Sequence, residues 1–161
     1  MRSSVVVTIL LASASAVLPV AAQDSPALAY TGRRVTGMLG LGNTFGGFGG
    51  TLEYFLSQGR ASVFIGLGAL PGAGVTAAGG MRVHTGGTQH RLFLEAAVSP
   101  LAVSVGPYDD RTRYGPAISV GYNYATLGGF SLLIGGGAGW APAIDAMEPV
   151  LNLGFGYTWR R

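Results

Sequence analysis

From Arg34 to Trp159 the chain alternates large apolar residues with small or polar ones, and glycine-bearing turn signals interrupt the pattern at intervals. A period of two predicts strands. In Pro149–Trp159 one face carries Leu151, Leu153, Phe155, Tyr157 and Trp159, and the other Asn152, Gly154, Gly156 and Thr158. In Arg60–Leu70 the faces are Ala61, Val63, Ile65, Leu67 and Ala69 against Arg60, Ser62, Phe64, Gly66 and Gly68. Six further strands follow from the same reading. They lie near 34–43 (Val35, Leu39, Leu41), 49–57 (Leu52, Tyr54, Leu56), 74–85 (Val75, Met81, Val83), 90–99 (Leu92, Leu94, Val98), 114–125 (Ile118, Val120) and 129–140 (Leu132, Ile134). Each is close to the roughly 9–11 residues that a tilted membrane-crossing strand needs.

The connections alternate in length. Ser57-Gln58-Gly59, Thr85-Gly86-Gly87-Thr88 and Thr126-Leu127-Gly128-Gly129 read as tight hairpin turns. Asn43–Phe48, Leu70–Gly74, Pro100–Arg113 and Ala141–Glu148 are more variable. After Pro100 the apolar positions change parity to Leu101, Val103 and Val105, which predicts a bulge or a strand end, because proline cannot donate to a ladder. Residues 34–161 therefore form one all-β unit, an eight-stranded antiparallel up-and-down barrel.

Composition decides which face points outward. The chain is 48% hydrophobic and 11% charged, with 28 glycines. A soluble barrel would bury its large apolar residues and show water a face of Gly, Ala, Ser, Thr and Asn with few charges, a poor solvent surface. Those small residues suit the interior of an eight-stranded barrel, which side chains just fill. The expectation is a transmembrane barrel with its apolar face outward and a small, polar lumen. Aromatics agree: Tyr122, Tyr124, Phe130, Tyr157 and Trp159 fall near one end, Tyr114 and Trp140 near the other, as two interfacial girdles do.

Met1–Ala22 has the charged start, apolar run and small-residue cleavage site of a secretory signal, the alternative being an uncleaved anchor. A short segment, 23–33, leads into the barrel. Cys is absent from the sequence, so neither disulfides nor thiolate metal sites are expected. The formal net charge is +3, carried by scattered arginines without aromatic interleaving, which argues against nucleic-acid binding.

The charges on the inward face, Glu53, Arg60, Arg82, Arg91 and Glu95, would be costly alone and are expected to pair in a lumen cluster. Its role is a structural plug or, alternatively, a gate. Neither His84 nor His90 sits in a nucleophile motif, the spacing of Asp109, Asp110, Asp145 and Glu148 is not that of a calcium loop, and no lysine or helix follows the glycine runs. No catalytic residue, metal site or cofactor is expected.

The C-terminal run Asn152-Leu-Gly154-Phe-Gly-Tyr157-Thr-Trp159 resembles the assembly signal of outer-membrane barrels, except that Arg160 and Arg161 follow the aromatic. With the strand pattern, it makes the chain similar to the small eight-stranded class that includes the OmpA transmembrane domain and the OmpX-type barrels. The resemblance implies an outer membrane of the Gram-negative type, periplasmic termini, lipid and the barrel-assembly machinery as partners, and a monomer. That class includes structural anchors, adhesins, narrow pores and a few lipid-modifying enzymes, so the fold does not choose among them; the expected role is non-enzymatic, structural or surface-interacting, with a narrow channel or, further off, a lipid-modifying enzyme as alternatives.

Overall fold

The computed structural model describes residues 33–57, 60–85, 89–104 and 111–160. The expected signal segment, the acidic pair Asp109-Asp110 and Arg161 lie outside them. The chain is a closed antiparallel barrel in sequential order, β1 (Arg33–Gly42), β2 (Gly47–Ser57), β3 (Ala61–Leu70), β4 (Gly74–His84), β5 (His90–Ser104), β6 (Arg111–Ala125), β7 (Phe130–Ala141) and β8 (Ala146–Arg160). Closure comes from β1 pairing with β8, Val35 opposite Trp159 and Leu41 opposite Leu153. A closed barrel leaves no free sheet edge. The start of β1 and the end of β8 share one end of the barrel with the β2–β3, β4–β5 and β6–β7 connections.

The strand boundaries fall within a few residues of those the alternation predicts, except that β5 and β6 run further, past Pro100 and back from Arg111. The parity change at Pro100 is a bulge: the β5–β6 register shifts between Pro100 and Ala102, and Ser99 and Pro100 are both buried. The strand survives the proline for a physical reason. Leu92 accepts at its carbonyl from Thr85 N–H, one residue past the end of β4, so by the period of two Pro100 also faces β4. There the β4–β5 pairing has already ended at Gly79 opposite Val98. The missing N–H therefore breaks no ladder bond, and Ala77 N–H of β4 instead donates to the Tyr114 hydroxyl at 3.2 Å.

The first connection is not a surface loop. Asn43–Phe45 form a 3-10 turn that folds into the lumen, with Thr44 and Phe45 fully buried. This turn accounts for much of the inward glycine. A Cβ at Gly154 would lie 2.2 Å from the Phe45 ring, one at Gly40 2.8 Å from it, and one at Gly66 or Gly68 within 2.3 Å of a carbonyl of the turn. Gly121 and Gly135 make room for the Phe93 ring in the same way. The lumen is thus small-residued on its walls and filled from within. Met38, Phe45, Phe93 and Leu133 form its apolar cluster.

A charge cluster inside the barrel

Glu53 on β2, Arg82 on β4 and Glu95 on β5 all point inward and are fully buried. Register places them together, because Arg82 lies opposite Glu95 on one side and opposite Ser62 on the other. Ser62 in turn neighbours β2. The Arg82 guanidinium donates from Nε to Glu95 Oε2 at 2.6 Å and from Nη1 to Glu53 Oε2 at 3.1 Å. The remaining carboxylate oxygens are also engaged. Glu95 Oε1 accepts from the Thr44 hydroxyl at 2.9 Å and the Ser119 hydroxyl at 3.2 Å. Glu53 Oε1 accepts from the Ser62 hydroxyl at 2.5 Å and lies 3.3 Å from His84 Nε2. Such satisfaction is what a buried ion pair needs to offset desolvation.

Aromatic rings pack between the charges. Arg82 lies over Phe64 with 4.3 Å from guanidinium carbon to centroid, and 5.5 Å from the Phe93 centroid. His84 stands between Phe93 and Phe55, and Arg91 lies over Phe55 at 5.3 Å while donating to Asn123 Oδ1 at 2.9 Å. Two arginines, one histidine and three phenyl rings therefore occupy the lumen as interleaved layers. The inward turn closes over them: Thr44 N–H donates to Asn152 Oδ1 at 2.8 Å, and Asn43 Nδ2 to the Pro100 carbonyl at 2.7 Å.

Of the five charges expected in the cluster, Glu53, Arg82 and Glu95 form the ion-pair core and Arg91 sits in the adjoining layer. Arg60 does not enter. It stands exposed in the β2–β3 turn, before the inward–outward alternation of β3 begins at Ala61. Phe55, Phe93 and the Thr44–Phe45 turn are parts of the site that the alternation of large residues left unnamed.

Ser62, His84 and Glu53 are residue types of a nucleophilic triad, and they touch. Their connectivity is wrong for one. Ser62 Oγ and Glu53 Oε1 both lie 3.3 Å from the same ring nitrogen, Nε2, and the serine hydroxyl donates directly to the carboxylate. A relay needs the carboxylate at Nδ1, which here has no hydrogen-bond partner.

Asn152 and Gly154, expected as assembly-signal residues, both serve the inward turn, the first by its amide oxygen and the second by its missing Cβ. Tyr157 and Trp159 are exposed and stack edge to face, 5.7 Å between centroids. Phe130 lies opposite Tyr157. Tyr122 and Tyr124 are half-buried against His90, whose Nδ1 meets the Tyr122 hydroxyl. Tyr114 and Trp140 are exposed at the opposite end. Set against protein-family models, curated proteins and solved structures, the chain matches none.

Proposed function

We propose that the chain is an integral outer-membrane barrel with a closed lumen and a structural or surface-interaction role. One observation carries the reading: polarity is distributed inside out. Leu39, Ile65, Ile118, Leu151 and Phe155 are each more than half exposed, while Glu53, Arg82, Arg91 and Glu95 are at most 2% exposed. In water such a surface would be an extended aggregation-prone patch; against lipid it is the low-energy arrangement. Closure of the sheet supports the same reading, because hydrocarbon cannot satisfy an open edge. Tyr157, Trp159, Tyr122 and Tyr124 at one end, beside Phe130, with Tyr114 and Trp140 at the other, include the amphipathic tyrosines and tryptophans favoured at the two lipid–water boundaries.

The filled lumen favours a closed barrel over a narrow channel. Arg82 with its two carboxylates, the interleaved rings and Phe45 stand in succession where a conducting path would run. A lipid-modifying role is disfavoured too, since Ser62 and His84 face inward, away from any acyl chain in the surrounding bilayer. The even strand count leaves both termini on one side of the membrane, which in this reading is the periplasmic side. The C-terminal strand would be the segment offered to the barrel-assembly machinery.

The expected behaviour of the chain expressed in a Gram-negative host is recovery in the outer-membrane fraction and faster gel migration unboiled than boiled. Recovery as a soluble, unshifted protein would overturn the reading.

A further inference from the structure

Residues 43–46 hang from the barrel wall without belonging to it. The last rung of the β1–β2 ladder pairs Gly42 with Gly47, so the four residues between them can swing about that rung without breaking a ladder bond. Glycines in the left-handed region stand at both ends of the segment, Gly42 at φ 121° on one side, Gly46 at 66° and Gly47 at 93° on the other. A residue without a Cβ reaches many other backbone conformations from there. A few such positions at the ends of elements are what a hinge needs.

Side chains hold the turn in the lumen. Asn43 bridges two strands, donating from Nδ2 to the Pro100 carbonyl at 2.7 Å and accepting at Oδ1 from Leu151 N–H at 3.2 Å. Thr44 reaches Asn152 and Glu95, and Gly46 accepts at its carbonyl from the Thr76 hydroxyl. A cost stands against these bonds. Thr51 Oγ1, Ser99 Oγ and Asn152 Nδ2 are buried with no hydrogen-bond partner among the described residues, and all three surround the turn. Asn152 holds it, and Ser99 adjoins Pro100. A Cβ on Gly66 would lie 2.0 Å from the Thr44 carbonyl oxygen and 3.3 Å from the Thr51 methyl group. A buried polar atom left without its bond costs more than a made bond contributes. The plugged state therefore carries three penalties that water relieves on opening.

We propose that residues 43–46 are a hinged plug, and that the half of the lumen away from the chain termini is a vestibule for water and small polar solutes that this plug opens and closes. With the plug out, the walls are Gly40, Gly66, Gly68 and Gly154, which have no side chain to fill the space Phe45 leaves. The floor presents the Glu95 carboxylate with the Ser119 hydroxyl bonded to it. The Arg82 ion pairs and the phenyl layers beyond them stay in place, so opening exposes a blind chamber and no through path. The closed lumen of the proposed function is the plugged state, and burial of the Phe45 ring makes that state the major one.

The chain contains no cysteine, so Ser119→Cys places a single thiol on the vestibule floor. Ser131→Cys places one in the opposite half, where the serine bonds Thr158. The folded barrel in detergent micelles is treated with methanethiosulfonate ethylammonium. Asn43→Ala removes two hydrogen bonds of the plug and should speed labelling of Ser119→Cys about tenfold, with labelling of Ser131→Cys unchanged. Equal acceleration at both positions would mean that the whole barrel loosens, and no acceleration at Ser119→Cys that the turn is a fixed part of the core; either result overturns the plug. Amide hydrogen exchange gives a second readout in the unaltered chain. Thr44 N–H, buried and bonded to Asn152, should exchange about tenfold or more faster than the ladder amides of β2, because local opening releases it. Exchange of Thr44 at the rate of those ladder amides would also overturn the proposal.

Discussion

Arg82→Ala is expected to lower unfolding stability by about 3–5 kcal/mol, the range for removing one partner of a buried ion pair. The substitution strands two fully buried carboxylates, Glu53 and Glu95, whose Oε2 atoms lose the only charged donor they have among the described residues. Hydroxyls from Ser62, Thr44 and Ser119 remain, but they neutralise no charge. Urea unfolding in detergent micelles, followed by tryptophan fluorescence, measures the effect. The triple variant Glu53→Gln, Arg82→Met, Glu95→Gln removes all three charges and keeps acceptor oxygens for the hydroxyls, so it should recover most of the loss. An unchanged midpoint for Arg82→Ala would show that the cluster carries no stability.

The second large effect belongs to Phe45. Phe45→Ala is expected to cost about 3–5 kcal/mol, as for other fully buried aromatics. Its seat is built largely from glycines, which cannot lean inward to fill the void. Gly154→Ala approaches the same contact from the wall, putting a methyl group 2.2 Å from the ring, at a cost of about 1–3 kcal/mol. The two are coupled. Once the ring is gone the methyl group has room, so the double variant should be less destabilised than the sum of the single ones. Strict additivity in the same urea assay would mean that the turn does not pack as described.

The two predictions rest on unequal parts of the sequence. Glu53, Arg82 and Glu95 were legible because charges at inward positions of a period-two pattern have few places to go. Register was not, and only register decides that Arg82 faces Glu95 while Arg91 faces Asn123. Arg60 was misplaced by carrying the alternation one residue beyond the strand, into a turn where it no longer holds. Phe45 was hidden for a different reason. Asn43-Thr44-Phe45-Gly46-Gly47 has the composition of a flexible connection, and its inward fold depends on glycines from β1, β2, β3 and β8. The usable signal was a large aromatic in a glycine-rich loop, together with an excess of glycine on one side of those strands. Pro100 signalled its bulge but overstated the strand end, since the sequence does not reveal that β4 has already parted from β5 at that level.

The central claim is that odd-numbered positions of β8 meet lipid. Because the chain contains no cysteine, single cysteines at Leu151, Leu153 and Phe155 can each be nitroxide-labelled in the protein reconstituted into vesicles. Electron paramagnetic resonance then compares relaxation by oxygen, which concentrates in hydrocarbon, with relaxation by a water-soluble nickel chelate. The expected result is strong oxygen and weak nickel relaxation at all three. Strong nickel relaxation at these positions in a folded barrel would place that face in water and contradict the claim.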